Sequence, residues 1–174
     1  MSAGIEITVD TAQLRVAIDK IIAAMGLDTL LSLIGKRQLA WIDQNFKDQG
    51  TENKWKALRP NTVAGRRMGS SSILQDKGLL KNSFTDVVIG DAVHVGTANQ
   101  ISKYHQDGTA PYDIRPKTKR ALAFMTVGGR IARRGVHHPG LPARPMLPTS
   151  AVAERIAIDT LEQAIDKAIA AGAV

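Results

Sequence analysis

Four prolines spaced three residues apart constrain this chain more than any other feature. In "VHHPGLPARPMLPTS", residues 136–150, Pro139, Pro142, Pro145 and Pro148 lack an amide donor. Each also pushes the residue before it (His138, Leu141, Arg144, Leu147) away from the helical region. Neither an α-helix nor a central strand can pass through such a segment. The expectation is an extended strap of about three residues per turn, with the prolines on one edge and Leu141, Arg144 and Leu147 on another. It could serve as a ligand for a proline-reading domain, but a helix pattern follows it directly, which favours a strap packed on its own protein.

Regular structure must therefore form on either side of the strap. After it, a helix is expected from Thr149 or Ser150, with Ile158, Leu161, Ile165, Ala168 and Ile169 on a buried stripe and Arg155, Asp159, Glu162 and Asp166 opposite. At the other end, Asp10 and Gln13 form a capping box. Leu14, Ile18, Ile21, Ile22 and Met25 then follow helical spacing until Gly26 stops the run. Asp28 is placed to cap a second helix whose broad apolar face holds Leu30, Leu31, Ile34, Trp41, Ile42 and Phe46. Lys36, Asp43, Gln44 and Lys47 fall opposite, and Trp41 reads as core.

Residues 49–72 carry Gly, Asn, Pro and Ser at short intervals and read as a long, partly ordered loop pinned by Trp55 and Leu58. A helical turn is expected after Pro60, capped by Asn61 or Thr62. The loop also holds a basic cluster of Lys54, Lys56, Arg59, Arg66 and Arg67. Beyond it, "DVVIGDAVHVGT" predicts a hairpin of residues 87–89 and 93–95 around Gly90 and Asp91. "RALAFMTVGGRIARRGV" predicts another, with residues 121–127 and 130–136 joined by Gly128 and Gly129, and with Arg130, Arg133 and Arg134 pushed outward. The fold class is α+β: a small antiparallel sheet of hairpins packed with amphipathic N-terminal helices and a long C-terminal helix.

With 174 residues and 44% hydrophobic content, one domain over 1–174 is expected. Its parts are a helical stretch at 10–48, the basic loop at 49–72, a β-rich part at 73–136, the strap at 137–148 and the last helix at 149–172. Cysteine is absent, which removes disulfides, thiol nucleophiles and cysteine-ligated metal sites. The opening "MSAGIEITVD" lacks the order of a secretion signal, and no apolar run approaches the ~20 residues of a membrane span. The expectation is a soluble protein made in a cytoplasm.

Charge is concentrated. Residues 101–145 hold nine basic residues against two acids, a surplus equal to the whole net charge of +7, and residues 114–153 hold no acid at all. Such a single-sign field suits an anionic partner, either DNA or an acidic protein face, although a solvated basic face reads the same way. The candidate contact residues are Arg115, Lys117, Lys119, Arg120, Arg130, Arg133 and Arg134.

No catalytic set is visible. His94 alternates with Val93 and Val95 and is expected to point away from them. His137 and His138 are adjacent on an extended backbone, so they face opposite ways and do not easily grip one metal. A nuclease of the His-Asn-His type needs a later metal-binding histidine, and none follows His138. The sequence contains neither a Walker-type phosphate loop nor a G-x-S-x-G elbow. No enzymatic role, metal or cofactor is expected.

The pieces together resemble the virion morphogenesis family of long-tailed bacteriophages, the neck or tail-completion proteins. "FKDQGTENKWKALRPNT" is similar to the family's tryptophan, leucine, proline, threonine run at Trp55, Leu58, Pro60 and Thr62. "ILQDKGLLKNSF" matches a second element at Leu74, Gly78, Leu80 and Ser83, and "VHVGTANQISKYHQDGTA" a third at Val95, Gly96, His105, Gln106 and Gly108. "LPARPMLPTS" resembles the closing signature at Pro142, Ala143, Arg144, Pro145, Met146 and Leu147, with Met146 where the family commonly has phenylalanine. Tyr104 directly precedes His105, where the family has a wider gap.

The resemblance implies a structural subunit in the neck or at the tail top of the virion, made in the bacterial host cytoplasm and acting in tail completion or head-tail joining. It implies a homo-oligomeric ring beside adjoining neck and tail-terminator proteins, with the basic residues meeting either the phosphates of channel DNA or acidic faces of those neighbours; no membrane partner is expected. The strap would be structural, anchored by Met146 and Leu147, with Arg144 reaching a carboxylate or a backbone carbonyl. The competing reading is a non-sequence-specific double-stranded DNA-binding protein. A pI near 9.9 favours it, but no helix-turn-helix or zinc finger is apparent and aromatics are only 4% of the chain.

Overall fold

A computed structural model describes residues 12–66 and 70–171. Five helices (α1 Ala12–Met25, α2 Leu27–Asp48, α3 Pro60–Ala64, α4 Ile101–Asp107, α5 Ser150–Ala170) combine with six strands (β1 Phe84–Ile89, β2 Ala92–Thr97, β3 Tyr112–Ile114, β4 Leu122–Thr126, β5 Gly129–Arg133, β6 Val136–His138). The class is α+β. In place of one sheet, the strands form three separate two-stranded ladders, β1 with β2, β3 with β6, and β4 with β5. Two of these are the expected hairpins. The third joins distant residues, with Asp113 opposite His137, and nothing in the spacing of either three-residue strand announces it.

The residues group into two compact units. The first holds α1, the start of α2, the tip of the β1–β2 hairpin and α5, and its core is Leu30, Ala164 and Ala168, with Ile22, Met25, Leu161 and Ile165 packed against it. α1 ends at Met25 as expected, while the capping box at Asp10 lies outside the described residues, as do the side chains of Gln13, Leu14 and Ile21. Asp28 does not cap α2. The helix already begins at Leu27, where the Gly26 carbonyl takes the Leu30 amide at 3.2 Å, so Asp28 sits in the first turn and complements the helix dipole there. α5 begins at Ser150, and its buried line is Thr160, Ala164 and Ala168; of the expected stripe Ala168 is buried and Leu161 and Ile165 pack against the core, while Ile158 and Ile169 stand outside it. Small side chains at i, i+4 and i+8 let neighbouring backbones approach, which leaves the bulkier Ile158 and Ile169 outside, 47% and 58% exposed. Thr160 satisfies its buried hydroxyl by donating to the Ile156 carbonyl at 2.5 Å.

The second unit holds the end of α2, residues 49–85, and everything from Val95 to Thr149. Its core is Ile42, Phe46, Trp55, Ile73, Leu80 and Met146. Phe46 is fully buried and meets Trp55 edge-on at 5.4 Å and Phe84 at 5.9 Å. Trp41 and Leu58 are half-buried against this cluster. The loop after α2 is fastened to the helix end. Gln75 Nε2 donates to the Phe46 carbonyl at 2.8 Å, the Ile73 amide to Gln49 Oε1 at 2.9 Å, and Lys54 Nζ to the Asp48 carbonyl at 2.9 Å. The first and last of these bonds go to backbone carbonyls of the last helical turn, where intrahelical donors run out.

α3 follows Pro60, although neither Asn61 nor Thr62 caps it. Arg59 occupies the cap position without a side-chain bond, with Pro60 as the first helical residue. Asn61 is used elsewhere, its Oδ1 accepting the Val127 amide at 3.0 Å. That bond helps place the second hairpin's turn one residue earlier than expected. Thr126 pairs with Gly129, so Val127 and Gly128 form the connection, and the Thr126 hydroxyl donates to the Gly129 carbonyl at 2.9 Å. β5 stops at Arg133, short of Val136, which belongs to β6.

Candidate functional site: the strap and the basic surface

The strap is fixed along its length by hydrogen bonds from three directions. Asn45, buried at the end of α2, donates from Nδ2 to the carbonyls of Pro145 (3.0 Å) and Met146 (3.2 Å), while its Oδ1 accepts the Thr51 amide at 2.7 Å. Trp55 Nε1 donates to the same Pro145 carbonyl at 3.1 Å. From α4, Gln106 Oε1 accepts the amides of Met146 (2.8 Å) and Leu147 (3.3 Å), and the His105 carbonyl accepts the Arg144 amide at 2.7 Å. Proline-rich backbone has no ladder of its own, so these side chains supply the partners that buried peptide groups require.

Arg144 is buried, 5% exposed, and its guanidinium meets a backbone carbonyl, not a carboxylate: Nε and Nη2 both donate to the Lys56 oxygen, at 3.3 and 2.9 Å. Its charge lies near His105, whose Nδ1 is buried with no hydrogen-bond partner among the described residues. Burial first, and Arg144 second, lower the His105 pKa from 6.5. Below α4 the chain makes an intimate crossing. The Thr109 amide donates to the Leu141 carbonyl at 3.0 Å, and the Leu141 amide to Thr109 Oγ1 at 2.9 Å. A Cβ on Gly140 (φ +82°) would come within 2.1 Å of the Thr109 oxygen, and one on Gly108 (φ +75°) within 2.7 Å of the Leu141 oxygen. Both positions combine left-handed backbone with no room for a side chain.

Most of the motif residues thus converge on one construction. Trp55, Leu58, His105, Gly108, Pro142, Arg144, Pro145 and Leu147 all belong to the strap or to what holds it, with Met146 the most deeply buried strap residue at 1% exposure. Pro60 starts α3, and Gly78 (φ +71°) accepts the Asn82 amide at 2.9 Å before a 3-10 turn at Lys81–Ser83. Asn45 escaped the sequence reading. Its signal was present, since a polar residue three positions after Ile42 and next to Phe46 stands within the apolar stripe of α2.

The basic residues are arranged differently. Arg115, Lys117, Lys119 and Arg120 are exposed on the connection between β3 and β4, and Arg130, Arg133 and Arg134 are exposed on and after β5. Side chains alternate along a strand, so Arg130 and Arg133 stand on opposite faces of the ribbon and do not share one patch. A cavity of about 820 Å³ lies under the strap, lined by Lys56, Arg59, Arg66, Lys77 and Arg144 along with Asp76. The two adjacent histidines do diverge. His137 Nδ1 pairs with Asp113 Oδ1 at 2.8 Å in the open, while His138 stacks on Tyr112 at 4.8 Å and accepts the Gly140 amide at 3.1 Å. His94 is exposed. No group of three His, Asp or Glu placed to hold a metal ion occurs among the described residues, and no described helix is long and apolar enough to cross a membrane.

Residues 9–166 match the phage virion morphogenesis family, and the chain belongs to that family. It is a family of phage virion assembly, and its members are associated with the virion. No curated protein and no solved structure matches the chain significantly.

Proposed function

We propose that this protein is a structural, non-enzymatic subunit of the head-tail connector or neck, acting in tail completion or head-tail joining as one copy in a ring. The observation that carries the reading is family membership over residues 9–166. The geometry is in keeping with it. The polar side chains of the strap and its supports (Asn45, Gln106, Arg144) are engaged by backbone partners, an arrangement that builds a rigid scaffold, whereas the cations of residues 115–134 are exposed to solvent. Loops and ribbons held out from such a scaffold order against neighbours when an assembly closes. The exposed cations would meet acidic faces on adjoining neck or tail-terminator subunits, or phosphates of channel DNA without reading its bases.

Complementation tests the proposal. Heads and tails made without this protein should become infectious when the purified protein is added, and continued failure to join would contradict the reading. Free double-stranded DNA binding as the main role is favoured by the acid-free stretch 114–153 alone. It predicts tight duplex binding that weakens steeply with salt, independent of particle assembly.

A further inference from the structure

Two surfaces of this chain are unpartnered and opposite in character. The first is the β4–β5 ribbon. By cross-strand register, Ala123, Met125, Arg130 and Ala132 share one face, and all four are exposed. Val127 at the turn is 67% exposed and Met125 58%. Apart from its contact with α3 this is a two-stranded ribbon, and such ribbons are marginal without a second layer. Residues 117–134 carry six cations and no acid.

The second surface is the outer face of α5. At 100° per residue, Ile158, Glu162, Asp166 and Ile169 fall within one quadrant, which also holds Arg155, with Asp159 and Glu154 at its margins. All of these are exposed. The helix carries four acids against two cations, Arg155 and Lys167, so this face is acidic and centred on two uncovered isoleucines. Ile158 to Ile169 spans about 17 Å at 1.5 Å per residue, and the five-residue strand β4 spans about 13 Å at 3.3 Å per residue, so the lengths are comparable.

We infer that the ribbon of one copy docks on the outer face of α5 in the next copy. Met125 and Val127 would lie against Ile158 and Ile169, and Arg130, which shares the face of Met125, together with Arg134 just beyond the strand end, would face Glu162, Asp166 and Asp159. Because the two surfaces differ, the contact is head-to-tail, the type that generates a closed ring when its rotation permits. Charge complementarity identifies the occupant as a second copy: the chain carries both halves of the match, and each half alone leaves apolar side chains in water. The inference rests on the assembly reading for its biological setting only, since the contact is testable on the purified protein.

The test is sedimentation velocity of the full chain at rising concentration and low salt. Wild type should self-associate, and Arg130→Glu/Arg134→Glu should weaken association at least ~10-fold, as should Asp159→Lys/Glu162→Lys/Asp166→Lys. Mixing the two variants should restore it, because every ribbon then meets an α5 of opposite charge. Restoration also shows that both variants are folded. Wild type that stays monomeric at the highest attainable concentration, variants that associate as wild type does, or a mixture that stays dissociated would overturn the inference. Failure here together with successful complementation of joining would remove the interface and leave the joining role intact.

Discussion

Asn45 shows how much of this fold depends on single polar side chains. Its amide donates to two strap carbonyls, so replacing it by Ala should lower stability by about 1–3 kcal/mol, while Asn45→Asp, which turns a donor into an anion facing those carbonyls, should cost more. Thermal unfolding of both variants checks the order, and Asp equal to or better than Ala would contradict the assigned bonds. His105 gives a pH signature. Burial lowers its folded pKa below the unfolded 6.5, so the folded state binds the proton less tightly than the unfolded chain. The contribution is therefore fully present above pH 6.5 and is lost as pH falls from there towards the folded value. Between about pH 7.5 and about pH 5 the melting temperature of wild type should drop further than that of His105→Gln, and equal drops would refute the buried neutral imidazole.

At the scale of elements, the helices separate what pattern can and cannot reveal. α2 was legible because Leu30, Ile34, Ile42 and Phe46 are large, apolar and periodic, and they are its buried hydrophobic residues. α5 had clear ends but a rotated face: Ala168 was placed rightly and Leu161 and Ile165 border the core, whereas Thr160 and Ala164 carry almost no hydropathy signal and are buried for their small size. Ile158→Ser should therefore change stability by less than about 0.5 kcal/mol, whereas Leu30→Ala should cost about 2–5 kcal/mol. Chemical denaturation of both variants decides it, and a large loss at Ile158 would restore the isoleucine stripe as core. The strap was legible as extended because proline leaves few choices, yet Arg144 reaching the Lys56 carbonyl and Gln106 accepting two amides depend on chain crossings that no local spacing encodes. The β3–β6 ladder was illegible for the same reason.

At the scale of the whole molecule, one unit is a scaffold locked by internal hydrogen bonds that carries a ribbon braced by α3 with one face exposed, and the other unit presents an exposed face of α5. If the exposed cations act in assembly, Arg130→Ser/Arg133→Ser/Arg134→Ser should leave the melting temperature near that of wild type and sharply reduce the yield of tailed particles. Normal yields would remove the ribbon from the joining surface. The family itself was legible because its motif residues are those that the strap construction uses, so their order in the chain carries the architecture. The basic surface was visible as composition only; its division between two faces of a ribbon emerged from the register of β4 and β5. The central claim is best tested by electron microscopy of a lysate from the source phage with this gene deleted. A joining subunit predicts DNA-filled heads and finished tails lying separate, whereas normally joined particles would contradict the account.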